Sequence, residues 1–513
     1  MKKLTKNLNL KSHKQILIFS IIFICLWSVF IPSLSSQTLI RRIHGHKARS
    51  FLDTNVLEGN LLHLNLCGER PEYIQELYTS GFNTLHADSS ATFTDLSKNL
   101  NFLQLSRENG ITHSGGPMLG NISSSGASVW IRTLQPASVE VRINVEGTVK
   151  TYGPARSSEN TDMHAVVKIT GLSPETTYPY NVFIDGKPIN VDVQPYITTA
   201  PPEHLPSRAR IAFGTCYHRW GLCNQDLSDQ ITSRKPLALL LGGDIAAQDR
   251  RNHIGLHRAD YLLRDFHPAW KNMVSSIPVY ATWDDHDYFD NDLYNIPEGY
   301  TLEDKEAVSD IFRTSWNNPP YGSGEDGKGV YFRTRIGPAD VIMLDNRYFR
   351  EKGNFLGDRQ MEWLKEQLLD CEGPFIILSN GTMWSDYVSN GKDSWGRYDP
   401  EGREEIFQLI EDNNIGGVLL ISGDRHGARG FKIPRPSGFN FYEFEVGSLG
   451  GRVGPPPISA EWDTQLYGIS GEYAFGEFEF DTTLHDPEVT FRLTDKRGRL
   501  FYELTLTRSQ LTP

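Results

Sequence analysis

The sequence predicts an α/β protein in two layered parts: a small all-β sandwich over residues 114–200, then two sheets flanked by helices over 208–513. Three observations carry this. Short alternating strands separated by turns fill the first part. Apolar runs then alternate with helical stretches before the chain returns to β after Tyr442. Several of the apolar runs stop abruptly at Asp, or at Asp with His, as loops do at the sheet edge where sites are built.

Taken in order, the chain opens with Lys2, Lys3, Lys11 and Lys14, an apolar run from Ile16 to Ile31, and Pro32-Ser33-Leu34-Ser35-Ser36. That order predicts a signal peptide over 1–36 and a periplasmic or secreted protein. The run is short for a spanning helix; an uncleaved signal anchored in the inner membrane is the alternative. No twin arginine precedes it, since Arg41 and Arg42 come after, and Cys25 lacks the small preceding residue of a lipoprotein signal. Residues 37–113 form an N-terminal segment of unclear role, with helices over Pro71–Tyr78 and Ala91–Asn109 read as packing elements. Strands follow at Ala127–Arg132, Val139–Val145, Ala165–Ile169 and Tyr180–Ile184, closed by a turn at Asp185-Gly186. Thr198 to Ser207, with Pro201, Pro202 and Pro206, reads as the linker. Beyond it, strands are expected at Ile211–Phe213, Leu237–Leu241, Val341–Leu344, Phe375–Leu378 and Val418–Ile421, with helices at Gln360–Asp370 and Glu404–Asn413. Strands at Phe475–Phe480, Glu488–Leu493 and Leu500–Leu506 finish the chain.

Length and composition set the bounds. A chain of 513 residues allows two to four domains with real cores, and 39% hydrophobic with 11% aromatic residues is ordinary globular composition. A net charge of −12 excludes a phosphate-tracking surface, so no nucleic-acid partner is expected. It does not exclude a small phosphate ester whose charge is met by metal. Four cysteines follow the signal: Cys67, Cys216, Cys223 and Cys371. An exported chain can pair some of them, in a connectivity the sequence leaves open.

The chemistry concentrates at Trp283-Asp284-Asp285-His286-Asp287, three carboxylates and an imidazole in four consecutive positions after the apolar run Ile277–Thr282. So many acids at a strand end repel one another unless a cation sits among them. Leu237–Leu241 likewise stops at Gly242-Gly243-Asp244 and continues to Asp249. Val418–Ile421 stops at Ser422-Gly423-Asp424-Arg425-His426. A single Asp after a strand is ordinarily a turn or N-cap residue. Threefold recurrence with two histidines points instead to a metal site.

These residues resemble a family. Phe213-Gly214-Thr215-Cys216, Gly243-Asp244, Thr282 through Asp287, Leu344-Asp345-Asn346-Arg347 and Ser422 through His426 match, in order, the pattern of the alkaline phosphatase D-like (PhoD-like) metallophosphoesterases. The resemblance covers roughly 114–500. It implies a four-layer αββα sandwich over 208–513, and Leu172-Ser173-Pro174-Glu175-Thr176-Thr177-Tyr178 makes the preceding β-sandwich similar to a fibronectin type III or immunoglobulin-like domain. It further implies two or more metal ions, iron and calcium by family, with zinc or manganese allowed by donor softness. By that resemblance Asp244 bridges two metals, and Cys216, Asp285, Asp424 and His426 complete the ligand set. His286 and Asp285 are catalytic, with His286 nearest the phosphoryl or leaving-group oxygen. Arg347 clamps phosphate, and Asn380 is a further substrate contact. Asp249 and Asp287 are possible additional ligands. Cys216 could instead be a buried thiol or pair with Cys223, and Arg347 could instead bridge Asp345.

One departure stands out: Ala247 occupies the position where the family carries a metal-binding tyrosine. Asp249, water or another side chain fills that place, or the metal differs. The implied activity is hydrolysis of phosphate monoesters, diesters or both by an exported hydrolase, an alkaline phosphatase or phosphodiesterase, acting on a small phosphate ester. The alternatives are a degenerate, non-catalytic cell-surface binding protein and a phospholipase-D-like activity on lipid head groups. The insertion from Asn291 to Gly329 reads as a lid or substrate wall. Tyr288, Trp316, Trp384 and Trp395 are either core residues or the lining of an aromatic pocket. Asn121-Ile122-Ser123 and Asn380-Gly381-Thr382 fit a glycosylation sequon, against which the bacterial form of the signal argues.

Overall fold

Two large sheets lie face to face and bring their strand ends together. The first has six strands in the order Val279–Ala281, Ala238–Leu241, Arg208–Gly214, Ala474–Asp481, Glu488–Asp495 and Leu500–Thr507. Its first three strands are parallel neighbours and the rest antiparallel. The second has eight, in the order Ile40–Arg41, Gln465–Ile469, Gly427–Pro434, Asn440–Gly447, Val418–Ser422, Phe375–Ser379, Ala339–Met343 and Phe332–Ile336. Ala339–Met343, Phe375–Ser379 and Val418–Ser422 run parallel. The structure is a computed structural model that describes residues 40–41, 53–246, 248–387, 394–454 and 463–513. The expected signal over 1–36 and the position of Ala247 lie outside the described residues. Residues Ile40–Pro513 form one compact unit.

The apolar runs fold this way because they are buried on both faces. Val418–Ser422 and Phe375–Ser379 are buried throughout, as parallel strands between two layers must be. Between the sheets, Phe444 meets Phe478 and Phe491 at ring separations of 5.2 and 4.4 Å, and Phe375 meets Phe480 at 5.0 Å. The outer face of the six-stranded sheet carries Leu239, Leu241 and Val279 against Leu227, Ile231, Trp270 and Met273 of helices Gln225–Ser233 and Pro268–Val274. The outer face of the eight-stranded sheet buries Ile376, Leu378 and Leu420 against Leu364 and Ile406 of helices Gly357–Leu369 and Pro400–Asp412. Among the described residues no helix is long and apolar enough to cross a membrane.

Residues 113–198 form two further sheets. One pairs His113–Ser123, Gly126–Thr133 and His164–Ile169; the other pairs Thr148–Ser157, Ala137–Val145, Thr177–Ile184 and Lys187–Pro188, with Tyr196–Thr198 added to Thr177–Ile184. Val129, Ile131 and Val167 of the first share a core with Val141, Ile143 and Tyr180 of the second. The Tyr178 hydroxyl accepts the Ser173 N–H at 3.1 Å, pinning the corner read from the sequence. The Tyr280 hydroxyl accepts Ile122 N–H at 2.8 Å and Tyr180 donates to Ser275 O at 2.8 Å, so this part is bonded to the six-stranded sheet and to the end of helix Pro268–Val274.

Residues 53–112 are helical: Leu57–Leu64, Glu72–His86, Phe93–Leu96 and Leu100–Glu108. The single helix expected over Ala91–Asn109 is two, because Thr92 and Asp95 cap one start and Asn99 caps another. These helices bury Leu77, Tyr78, Phe82 and Phe102 against Leu262 and Leu263 of helix Ile254–Phe266. The stretch read as a long loop from Asn291 to Gly329 holds the helix Leu302–Ser315, started by a Thr301–Asp304 capping box. Its Val308, Ile311 and Phe312 reach the core; flanking Gly, Asp and Tyr residues obscured that apolar face.

Candidate metal centre

Three of the four strand ends deliver their donors through short strained turns. Cys216, His218, Asp244, Asp249, Asp424 and His426 all have positive φ, from 43° to 72°. Non-glycine residues adopt that region only where the surroundings impose it, and such strain gathers at functional sites. Gly243 is required beside them: at φ 114°, a Cβ there would lie 2.5 Å from Asp284 Cβ. The turn after Arg208–Gly214 carries Cys216 and His218, and the one after Ala238–Leu241 carries Asp244 and Asp249. Asp284, Asp285, His286 and Asp287 follow Val279–Ala281, and Asp424 and His426 follow Val418–Ser422.

Three sets of donor atoms converge, each with its members within 4.8 Å of one another: Cys216, His218 and His426; Asp244, Asp285 and His286; and Asp244, Asp284, Asp285 and Asp424. Asp244 belongs to two sets and is 1% exposed, yet neither of its carboxylate oxygens has a hydrogen-bond partner. The same holds for the buried His218 Nε2 and His426 Nδ1. Burial, with Asp285 and Asp284 nearby, pushes the Asp244 carboxyl well up against the pull of His286. Burial and then Asp244 push the Cys216 thiol up. Two carboxylate-bearing sets sharing the bare Asp244, with a separate thiol and imidazole set beside them, fit a centre for more than one cation, since cations are what such donors lack.

The surrounding contacts divide the expected residues. Asp285 accepts N–H groups from His286 at 2.9 Å and Asp292 at 2.7 Å. Burial would raise its carboxyl, but His286, Arg347 and these donors hold it below the ordinary range. His286 Nδ1 lies 2.5 Å from Asp249 Oδ1. Burial would lower that imidazole, but Asp285, Asp244 and Asp249 hold it well above its usual value. Asp249, expected as a possible ligand, is absent from all three sets and is the partner of His286. Asp287, the other possible ligand, is also outside them: its carboxylate accepts Ile245 N–H at 3.0 Å and Ala246 N–H at 3.2 Å. Through these bonds it clamps the Asp244 turn.

Arg347 is fully buried, and its Nε and a terminal nitrogen both lie 2.6 Å from Asp284 Oδ1. The bridge to Asp345 is not made. Asp345 accepts instead from Trp283 Nε1 at 2.6 Å and from the N–H groups of Arg347, Tyr348 and Val330 at 2.9 Å. Asn346 adds a 2.9 Å donation to the same Asp284 oxygen. Asn380 is buried and donates to Thr382 O at 2.9 Å, and its own oxygen has no hydrogen-bond partner. A glycan could not reach that amide. Tyr288, Trp316, Trp384 and Trp395 are at most 3% exposed and sit in the cores, so the aromatic-pocket alternative falls. Cys223 bonds to Cys67, leaving Cys216 and Cys371 as free thiols.

Two donors escaped the sequence reading. Asp284 was counted in the acid cluster without a role, because adjacent acids in one turn are indistinguishable until the turn is folded. His218 was not singled out; its one signal was its place two residues after Cys216.

Comparison with known proteins follows the same lines. The chain is similar to alkaline phosphatase D of Bacillus subtilis strain 168, with 27% identity over 218 residues, which is 36% of this chain and 35% of that protein. It thus spans about a third of that relative's length. Among solved structures, the fold is similar to that of PhoD, with TM-score 0.64 and 16% identity over 78% of this chain and 91% of the other. It is also similar to the purple acid phosphatase PPD1 from yellow lupin (Lupinus luteus) seeds, with TM-score 0.59 and 14% identity over 77% and 75%. A domain of unknown function (DUF7800) matches residues 113–201. The PhoD-like phosphatase family model matches residues 247–511, just over half of the chain and including the Asp284–Asp287 turn, Asp424 and His426; the chain belongs to the PhoD-like phosphatase family.

Proposed function

We propose that the protein is an exported metal-dependent phosphatase that hydrolyses phosphate monoesters, diesters or both. The observation that carries this is Asp244, a buried carboxylate with two bare oxygens shared by two donor sets at the meeting point of both sheets. In this reading 208–513 is a four-layer αββα metallophosphoesterase sandwich, 114–200 a fibronectin-like sandwich, and 1–36 the signal. Iron and calcium, or zinc or manganese, are the candidate metals. When bound, they would supply Lewis acidity and a water of low pKa.

The protein's own residues then divide the work. Asp244, Asp285 and Asp424 with Cys216 and His426 would hold the cations. His286, oriented by Asp249, gives a proton to the departing oxygen. Arg347 is the residue that would clamp the phosphate, and its 2.6 Å contact also fixes the direction of Asp284. Asn380 supports the wall behind it. Phosphoryl transfer asks for positioning and charge rather than a protein nucleophile, and the site offers both.

The test is metal content of the purified protein together with hydrolysis of aryl mono- and diesters before and after chelation. Near-stoichiometric metal and chelator-sensitive turnover are expected. Asp285→Asn and His426→Ala should each lower kcat/KM by about a thousandfold or more, from several kcal/mol of lost charge stabilisation. Full activity in either variant removes the assignment, and a metal-free, inactive protein favours the non-catalytic binding protein.

A further inference from the structure

The thiol and imidazole side of the centre contains a donor with no role in the reading above. We propose that His218 is itself a metal ligand, and that Cys216, His218 and His426, with Asp244 at their edge, form a sulfur–nitrogen site that takes zinc or a similar borderline divalent cation rather than ferric iron. The proposal deepens the phosphatase reading and rests on it only for the purpose of the centre.

The geometry comes first. One donor atom from each of Cys216, His218 and His426 lies within 4.8 Å of the other two. Tetrahedral zinc, with sulfur at about 2.3 Å and nitrogen at about 2.0 Å, draws its ligand atoms to about 3.5 Å of one another. The trio therefore needs only small side-chain rotations to close. His218 is 0% exposed, and its Nε2 has no hydrogen-bond partner. That atom lies 3.9 Å from Oδ2 of Asp244, the carboxylate that the two other donor sets share. His426 Nδ1 is likewise buried and unpartnered, with its ring centroid 5.3 Å from that of His218.

The ring is also held as a ligand's ring should be. The Gln248 side-chain amide lies 2.7 Å from His218 Nδ1. With its oxygen turned to that contact, Gln248 accepts Nδ1–H and leaves the Nε2 lone pair for a cation, the usual arrangement behind a metal-bound histidine. The ring stacks on Trp220 with centroids 4.7 Å apart, which fixes its plane. Ala247 offers no donor of its own, and the His218 imidazole is a nitrogen donor on this side beside that of His426. Thiolate with imidazole suits zinc and its neighbours, whereas an oxygen-rich shell is what hard ferric iron asks for.

The test uses the full protein loaded with zinc or cobalt(II). X-ray absorption at the zinc edge should show one sulfur and at least two imidazole scatterers. The cobalt form should show a thiolate charge-transfer band and the intense visible bands of tetrahedral cobalt. His218→Ala, with an unchanged circular dichroism spectrum, should weaken cation binding by at least about a hundredfold and remove one imidazole from the shell. A zinc shell with sulfur and a single imidazole, or unchanged binding in His218→Ala, overturns the proposal; if that variant does not fold, the wild-type shell decides alone. An oxygen-only shell in a protein that still hydrolyses phosphate esters removes this site and leaves the phosphatase reading. A sulfur–nitrogen shell in a protein without hydrolysis does the reverse.

Discussion

The two sides of the centre are held in different ways. On the carboxylate side, Asp285 is fixed by N–H groups of His286 and Asp292, and Asp284 by Asn346 and Arg347. On the thiol and imidazole side, support arrives from far along the chain. Asp260 pairs with both Arg219 and Arg250, all three fully buried, and also accepts Gln248 N–H at 3.3 Å. Arg219 donates to Asn60 at 2.9 Å, Arg250 donates to Thr54 O, and Cys223, at the end of the helix that starts with His218, is bonded to Cys67. The first side is tuned by its own loops. The second is braced by residues 54–67, which lie outside both matched family regions. A site can thus keep recognisable chemistry on one side while its other side depends on an element outside the matched family regions.

Replacing Asp244, shared by both carboxylate sets and 3.9 Å from His218 Nε2 on the other side, has the largest expected effect. Asp244→Asn should remove cations from the whole centre and lower hydrolysis by about a thousandfold or more; retention of all metal by plasma mass spectrometry would show that the sides do not share it.

Next comes the brace. Asp260→Ala leaves Arg219 and Arg250 buried without their carboxylate, so about 3–5 kcal/mol of stability should be lost. Urea unfolding measures it. A loss below about 1 kcal/mol would mean that the arginines find other partners and the far-reaching support is dispensable.

Cys67→Ser opens a bond that spans 156 residues. A cost of about 2–4 kcal/mol is expected, read as a fall in Tm. Metal on the thiol and imidazole side should weaken while the carboxylate side keeps its own. Equal weakening on both sides would erase the distinction between them.

The smallest effect is a pH dependence from buried histidines outside the centre. Burial lowers His63 and His267 to about 3 and His113 to about 4, helped by Arg219, Arg70 and Lys271 respectively. Unfolded histidine takes its proton near 6.5. Between that value and the folded ones the unfolded chain binds more protons, so stability is full above about pH 6.5 and falls as pH drops toward 4 and 3. Unfolding midpoints measured between about pH 7 and about pH 4.5 should fall in a chelated sample as they do in a loaded one. A flat profile after chelation would assign the acid sensitivity to the metal ligands instead.

Legibility followed the same division. Buried strands announce themselves as apolar runs, and Asp244, Asp285, Asp424 and His426 stand directly after them, so strand ends and the donors on them were readable from local order. The Tyr178 corner was readable for the same reason. Asp249 and Asp287 were read as possible ligands because a carboxylate in the right turn looks the same whether it faces a cation, a histidine or two N–H groups. His218 was missed because its partners, Gln248 and Asp244, are thirty and twenty-six residues away in sequence and adjacent only after parallel pairing of Arg208–Gly214 with Ala238–Leu241. The helix Leu302–Ser315 was hidden by composition although its Thr301–Asp304 cap was in plain view.

By itself, the sequence determined the α/β alternation, the strand ends that carry acids and histidines, and the family pattern running through them, because periodicity and turn chemistry act over a few residues. Tertiary structure alone decided which carboxylate faces which partner, that Arg347 is bound to Asp284, that Cys223 pairs with Cys67 and frees Cys216, and that a helical segment near the N-terminus braces His218. Those outcomes depend on contacts between residues tens to hundreds of positions apart, which burial and electrostatics select only once both sheets are in place.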